Sequence, residues 1–245
     1  MFKLVTLIGI GAALVAIAGH FTLFGPKRTN NKVRRSVRRF GALEILVHAL
    51  TVLSFLTLAA TGLYAVYNAQ PLRGNLWLLH VALGPVFIFG LAVLILSWAR
   101  DCSFEPCDWD WAKRFGGYLW GDDKHAPAAR FNAGQKGYFW AVGALGLVTL
   151  VTGFGRVVPI LGPTGQELIF WVHRLGALAF VLAGLAHLYL GTQANPGTLT
   201  AMITGKVTPE WAKDHHPLWV TQPAAGASAN QPAGLTRGAK SFEQK

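Results

Sequence analysis

Histidines within apolar stretches are the residues of this 245-residue chain best suited to chemistry. Two of them, His173 and His187, share residues 166–193, a stretch that at about 1.5 Å per residue can cross a hydrocarbon core of roughly 30 Å. Their fourteen-residue spacing puts them about 40° apart around a helix and about 21 Å apart along it. Neutral imidazole binds iron, and a polar side chain in lipid usually faces a partner or a cofactor. The helix is therefore predicted to hold two haems, one above the other.

The composition indicates a membrane protein. The chain is 52% hydrophobic and 13% charged, whereas soluble domains carry about 25% charged residues. Its net charge of +11 comes from basic residues between apolar stretches, where Lys and Arg set orientation and contact membrane lipid. We find no nucleic-acid-binding motif and expect no nucleic acid partner. Cys102 and Cys107 are too few for an iron–sulfur cluster, which needs about four thiolates, and are predicted to be free thiols.

Five apolar spans are predicted to cross the membrane. Residues 1–26 hold the first, and residues 27–40 form a basic linker that the positive-inside rule places in the cytoplasm. Residues 41–193 are predicted to form a four-helix, two-haem domain with a cytoplasmic loop at residues 99–136. Residues 194–245 are a cytoplasmic tail whose Gly-, Ala- and Gln-rich end is predicted to be disordered.

The first span has two interpretations. Residues 16–18, Ala-Ile-Ala, resemble a signal-peptidase site, so the span could be a cleaved signal peptide. Cleavage after export would leave the basic linker outside, contrary to the positive-inside rule. We favour a retained helix with its N-terminus outside, and interpret His20 near its inner end as an interfacial histidine.

Topology sorts four histidines into two pairs by depth. The charge pattern places His48 and His187 near the inner surface and His80 and His173 near the outer surface. Two histidines at one level on different helices are what a six-coordinate haem b needs. A single histidine near an interface is usually only interfacial or hydrogen-bonded, but four that pair by depth favour haem. The predicted ligand pairs are His80 with His173, and His48 with His187.

Small and basic residues accompany the outer histidines. Gly84 lies one turn after His80 and leaves room beside it for a large planar group. Arg174 is adjacent to His173, and Arg156 lies near the outer end of the fourth span. Both arginines could pair with the carboxylates of an outer haem, or could simply extend to the outer surface.

The chain resembles the cytochrome b (gamma) subunits of bacterial membrane-bound formate dehydrogenase. The resemblance covers about residues 38–219 and rests on residues 130–136, Arg-Phe-Asn-Ala-Gly-Gln-Lys, on both histidines of the last span, and on the tail up to residues 211–217, Trp-Ala-Lys-Asp-His-His-Pro. It implies an all-α integral membrane protein, a four-helix transmembrane di-haem cytochrome b bundle with one extra N-terminal transmembrane helix. The matching haem ligands are the four histidines already paired by depth. The first span and the tail after about residue 222 have no counterpart.

The resemblance also implies that the chain passes electrons to a quinone. In the family a quinone binds beside the inner haem, at positions that match Asn132, Ala133, Gly134, Gln135 and His187. An Asn side chain and the backbone N–H groups at the start of a helix can donate hydrogen bonds to a quinone carbonyl. Without the resemblance, this segment would be interpreted as an ordinary helix start capped by Asn132. Whether the quinone is menaquinone or ubiquinone stays open.

The implied partners are a catalytic (alpha) subunit that oxidises formate outside and an iron–sulfur (beta) subunit that delivers electrons to the outer haem. The chain would be the quinone-reducing, electron-transfer subunit in the bacterial inner (cytoplasmic) membrane, and would not itself bind formate. One alternative is the cytochrome b subunit of a nickel–iron hydrogenase or thiosulfate reductase. Another is a non-haem membrane anchor or transporter, which predicts acidic partners inside the spans, whereas Glu44 and Glu167 lie near span ends.

Overall fold

The computed structural model describes residues 1–25, 33–117 and 126–221, and most of them are helical. Its elements are α1 (Phe2–Phe24), β1 (Val37–Arg38), α2 (Ala42–Asn68), α3 (Gly74–Trp98), α4 (Pro106–Arg114), α5 (Ala133–Val157), α6 (Pro163–Gly191), α7 (Thr198–Thr204), β2 (Lys206–Val207), α8 (Pro209–His215) and α9 (Pro217–Thr221). A 3-10 turn, Phe115–Gly117, follows α4. Helices α1, α2, α3, α5 and α6 are long and apolar enough to cross a membrane. The predicted all-α membrane fold is confirmed.

Two helical hairpins, α2–α3 and α5–α6, form the bundle, and α3 packs against α5 to join them. We call the end where α2 and α5 begin the inner end, and the opposite end the outer end. Phe87, Leu91, Val142 and Phe180 form a buried apolar core midway along the bundle. Gly146 lies directly against Leu91, so a side chain there would require the Leu91 side chain to move.

Helix α1 packs along α6 and runs in the same direction. Near the outer end, the ring of Phe2 lies 5.9 Å from that of Trp171. Near the inner end, His20 Nδ1 is 2.6 Å from the hydroxyl oxygen of Tyr189. The histidine that the sequence analysis interprets as interfacial is therefore hydrogen-bonded to the last turn of α6.

A folded layer covers the inner end of the bundle. This inner layer comprises residues 33–41, 99–117, 126–132 and 194–221. Its buried core, together with the start of α5, consists of Phe40, Cys102, Phe131, Phe139, Ala201, Val207, Trp211 and Ala212. The described part of the tail is thus folded against the bundle.

A short antiparallel pairing joins the linker to the tail. Val37 on β1 lies opposite Val207 on β2. Gly205, which ends α7, has φ +74°, and a Cβ there would lie 2.6 Å from the carbonyl oxygen of Phe40. Both the left-handed backbone and this close approach require glycine at the junction.

The predicted cytoplasmic loop at residues 99–136 is too long. Helix α5 already begins at Ala133, because Asn132 and Gln135 form a capping box that starts the helix inside that loop. Residues 26–32 of the basic linker, residues 118–125 of the loop and residues 222–245 at the tail's end lie outside the described residues. The predicted disorder of the tail's end falls in the last of these ranges.

Candidate haem and quinone sites

The structure brings the four predicted histidines together as two pairs. At the outer end, the ring centroids of His80 on α3 and His173 on α6 are 6.5 Å apart, with their planes at 72°. At the inner end, the ring centroids of His48 on α2 and His187 on α6 are 6.3 Å apart, with their planes at 55°. The partners within each pair are those that the predicted depths match.

These separations fit two axial ligands of one iron ion. A first-row metal ion binds an imidazole nitrogen at about 2.0 Å, and the ring centroid lies about 1.1 Å behind that nitrogen, so two opposed imidazoles have centroids about 6 Å apart. His48, His80 and His173 are half-buried and His187 is exposed, so protein atoms do not enclose the rings. The donor set and its spacing therefore suit bis-histidine ligation of haem.

Glycines leave space around the outer pair. A Cβ at Gly84, the position that the sequence analysis singles out, would meet no atom within 4 Å. Two glycines that it does not single out lie against the rings themselves. A Cβ at Gly153 would lie 3.3 Å from His173 Cε1, and one at Gly62 would lie 3.9 Å from His80 Cε1.

Threonines that the sequence analysis misses hold both outer rings. Thr61 Oγ1 on α2 lies 2.7 Å from His80 Nδ1. Thr152 Oγ1 on α5 lies 3.0 Å from His173 Nδ1. The dipeptide Thr-Gly occurs in the outer half of both helices, at residues 61–62 and 152–153, but it also occurs at residues 164–165 and 204–205, so the sequence alone does not single these threonines out.

The two predicted carboxylate partners lie near the outer pair and share one aromatic neighbour. The exposed Arg156 guanidinium is 5.1 Å from the ring of Phe170, and that of Arg174 is 4.6 Å from the same ring. Arg174 also lies 4.4 Å from the ring of Phe2 on α1. Stacking on a ring uses the face of a guanidinium and leaves its in-plane N–H groups able to donate to a carboxylate.

The inner pair has an aromatic neighbour that the sequence analysis also misses. The ring of Tyr138 on α5 stacks on that of His187, with centroids 4.5 Å apart and planes at 5°. Tyr138 lies one turn after Gln135. It therefore connects the inner histidine pair with the segment predicted to bind quinone.

That segment forms the first turn of α5. Asn132 Oδ1 accepts a hydrogen bond from the Gln135 N–H at 2.9 Å, and Gln135 Oε1 accepts one from the Asn132 N–H at 3.1 Å. The capping interpretation of Asn132 is thus correct for the local geometry. Because the capping box uses both side-chain oxygens as acceptors, it leaves the two NH₂ groups as donors. Ala133 and Gly134 lie between them, and a Cβ at Gly134 would be 2.5 Å from Trp111 Cη2.

Arginine side chains fix the backbone that leads into this turn. Arg130 donates to Glu44 Oε1 and to Asp101 Oδ2, each at 2.6 Å. Trp98 Nε1 donates to the same Glu44 carboxylate. Arg39 and Arg130 each donate to the other's backbone carbonyl, at 3.0 and 3.2 Å. The start of α2 and the approach to α5 are therefore held as one unit.

The tail holds the same approach from its other side. His216 is 1% exposed, and its Nδ1 lies 2.7 Å from the carbonyl oxygen of Ala129. The Leu218 N–H donates to the carbonyl oxygen of Ala128 at 3.2 Å. The two stretches on which the family resemblance rests, residues 130–136 and 211–217, thus belong to one packed region.

Lys136 follows the first turn of α5 and is buried. Its side chain is 1% exposed, and its Nζ lies 2.8 Å from Asp108 Oδ2 and 3.7 Å from Glu105 Oε2. Asp108 is itself 7% exposed, so α4 is held against α5 by a buried ion pair.

Both cysteines are free and lie beside this ion pair. Burial, with a contribution from the Asp101 carboxylate, raises the pKa of the Cys102 thiol to about 12. Burial and the carboxylates of Asp108 and Glu105 also raise the pKa of the half-buried Cys107 thiol.

Comparisons with known proteins agree with this architecture. The sequence profile of the prokaryotic cytochrome b561 family matches residues 39–205. The formate dehydrogenase cytochrome b556(fdo) subunit of Escherichia coli is 27% identical over 199 residues, covering 77% of this chain and 93% of that protein. The nitrate-inducible formate dehydrogenase cytochrome b556(Fdn) subunit of the same organism is 29% identical over 150 residues, covering 58% of this chain and 67% of that protein. The formate dehydrogenase cytochrome b556 subunit of Haemophilus influenzae is 29% identical over 153 residues, 58% of this chain and 61% of that protein.

Proposed function

The chain belongs to the prokaryotic cytochrome b561 family, and on that basis we propose that it is the membrane cytochrome b subunit of a respiratory formate dehydrogenase that binds two b haems and reduces quinone. Its family and its five apolar helices make it a multi-pass membrane protein that binds haem b. The part of the proposal that concerns formate rests on the similarity of the chain to formate dehydrogenase subunits. The main support for the proposal is that four histidines form two pairs, one at each end of the bundle. The ring centroids within these pairs are 6.3 and 6.5 Å apart, as two axial ligands of one iron ion require.

His80 and His173 would hold the outer haem, and His48 and His187 the inner one. When bound, the haems would supply one-electron transfer between the two ends of the bundle. The ring spacings and the partly open surfaces of the histidines support this assignment. We propose Arg156 and Arg174 as partners for the outer haem carboxylates, since a guanidinium binds a carboxylate through paired N–H donors.

An aromatic layer separates the two histidine levels. The rings of Phe55, Phe87 and Phe180 contact one another at centroid distances of 5.4 to 5.9 Å. Each lies seven residues from a predicted ligand on its own helix, about 10 Å along the axis, so the layer is midway between the levels. These rings exclude water from the interior and keep its dielectric low.

The quinone would bind between the first turn of α5 and His187. The NH₂ groups of Asn132 and Gln135, which the capping box does not use, would donate to a quinone carbonyl. Tyr138, stacked on His187, forms the wall between that turn and the inner pair. The inner layer fixes the approach to this turn through Arg130 and thereby orients its donors.

The proposed orientation follows from charge. The basic linker and the tail would lie in the cytoplasm, and the outer pair would face an iron–sulfur subunit linked to a catalytic subunit that oxidises formate. Electrons would then cross the bacterial inner membrane from outside to inside. The quinone would take its protons from the cytoplasm.

A haem-to-protein ratio tests the core of the proposal. Purified protein should contain two b haems per chain in a dithionite-reduced spectrum and should copurify with formate-oxidising activity. A colourless protein would favour the non-haem anchor or transporter. A hydrogenase or thiosulfate reductase as the copurifying partner would contradict formate dehydrogenase while leaving the cytochrome assignment intact.

A further inference from the structure

Each outer histidine is bonded to the first helix of its own hairpin. Thr61 on α2 contacts His80 on α3, and Thr152 on α5 contacts His173 on α6, in both cases through the threonine oxygen and Nδ1. The two hairpins therefore build the outer level in the same way.

The second contact of each threonine hydroxyl indicates which group donates. Thr61 Oγ1 donates to the Thr57 carbonyl at 2.8 Å, and Thr152 Oγ1 donates to the Val148 carbonyl at 2.6 Å. A hydroxyl has one proton, so each oxygen is left as an acceptor for Nδ1–H. In a neutral imidazole the lone pair then lies on Nε2, the nitrogen left free for iron. The two threonines thus select the tautomer that a haem ligand needs.

The glycine after each threonine completes this arrangement. Gly62 and Gly153 face the Cε1 atoms of the same two rings, and at Gly153 a Cβ would be closer than ordinary van der Waals contact. At Gly153 a larger residue would push the ring of His173 away from Thr152. Each Thr-Gly dipeptide therefore sets the position and the tautomer of one outer ring.

The inner pair is held differently. Within residues 1–25, 33–117 and 126–221, the side chains of His48 and His187 have no hydrogen bond. His187 instead stacks on Tyr138. Stacking provides no hydrogen-bond acceptor for the Nδ1–H group of His187.

We propose that Thr61 and Thr152 are positioning residues that keep the reduction potential of the outer haem below that of the inner haem. The inference rests on the proposed two-haem function. An acceptor at Nδ1–H increases the electron density that Nε2 donates to iron, and so favours the oxidised form. Transfer of one electron from the outer to the inner site, in which no bond forms or breaks, is then downhill in the direction that delivers electrons to quinone.

Replacement of each threonine by valine tests the proposal. Thr61→Val keeps a β-branched side chain and removes the acceptor, so the reduced-to-oxidised ratio of the outer haem at a fixed potential should rise about tenfold, a shift of about 59 mV for a one-electron couple. Thr152→Val should raise the same ratio for the same reason. The measurement is a potentiometric titration of the haem absorbance of the purified complex. His80→Ala and His48→Ala assign the two potentials.

Two matched variants separate this role from simple packing. Thr57→Val removes a hydroxyl one turn earlier on α2, where the half-buried Thr57 donates to the Leu53 carbonyl, and should leave both potentials unchanged. Thr61→Ser keeps the acceptor and should retain the wild-type value. Loss of the outer haem from Thr61→Val but not from Thr61→Ser would also support the positioning role.

Unchanged potentials in a Thr61→Val, Thr152→Val double variant that still binds two haems would overturn this inference alone. A wild-type complex without two haems would overturn the proposed function as well.

Discussion

The outer and inner ends of the bundle hold similar histidine pairs in different surroundings. The ring centroids of the two histidines are 6.5 Å apart at the outer end and 6.3 Å apart at the inner end. The outer rings are bonded to threonines and faced by glycines, whereas the inner His187 stacks on Tyr138 next to the first turn of α5. The outer end is thus arranged to fix its two histidines. The inner end is arranged to place one of its histidines beside a set of side-chain donors.

The same contrast extends to the surrounding chain. Short connections close the outer end, while at the inner end a layer of strands, short helices and ion pairs encloses the approach to α5. Buried ion pairs add less net stability than apolar packing of similar volume, but they determine which groups must be adjacent. The inner layer therefore acts mainly by fixing the donors of Asn132 and Gln135.

Removal of one histidine from each level gives the largest expected effect. His173→Ala should abolish the outer haem and His187→Ala the inner one, each halving the haem absorbance, because a six-coordinate haem needs both axial ligands. The control is His20→Ala, a histidine of α1 that bonds Tyr189 and should leave two haems in place. Both haems retained in His173→Ala or in His187→Ala would contradict the two-level assignment.

Asp108→Asn should destabilise the inner end strongly. Lys136 is 1% exposed, and the variant would remove the charge of its nearest partner at 2.8 Å, which for a buried pair costs about 3 kcal/mol of unfolding free energy. Thermal unfolding of the detergent-solubilised protein measures this loss. Asp110→Asn breaks the exposed pair with Lys113 and should cause no measurable change. Equal effects of the two variants would show that the ion pair with Lys136 does not hold the inner layer.

The depth of the four histidines could be predicted from the sequence because a fourteen-residue spacing and a basic linker suffice to assign levels. Thr61 and Thr152 could not, since contacts between residues 19 or 21 positions apart depend on how adjacent helices are rotated about their axes. The reciprocal bonds of Arg39 and Arg130, 91 residues apart, likewise depend on tertiary folding. The start of α5 could be predicted from the sequence, because Asn132 and Gln135 have the spacing of a capping box. The haem and quinone roles of the named residues stay predictions.

Substitutions of Asn132 can distinguish its role in capping α5 from a role in binding quinone. Asn132→Ser keeps a good N-cap acceptor but removes the NH₂ donor, so quinone reduction should fall about tenfold, in keeping with the loss of one hydrogen bond to substrate, while the melting temperature stays unchanged. Asn132→Ala should show the same loss together with about 1 kcal/mol lower stability. Haem content is measured in parallel and should not change. Full quinone reduction in Asn132→Ser would show that Asn132 only caps α5.

Chemical labelling of Cys107 tests whether the inner end lies in the cytoplasm. It needs no substitution in the protein, so its expected effect on function is the smallest. A membrane-impermeant maleimide should label Cys107 in inverted vesicles and not in spheroplasts. Cys102, which is 1% exposed and has a pKa of about 12, should stay unlabelled in both.

Because burial and neighbouring carboxylates raise the pKa of Cys107, less thiolate is present at neutral pH than in a free cysteine. Its labelling rate should therefore keep rising about tenfold per pH unit beyond pH 8.5, where an ordinary thiol levels off. A Cys107→Ser variant should take up no label. Labelling of Cys107 in spheroplasts would exchange the two ends, and with them the direction in which the Thr-bonded pair delivers electrons.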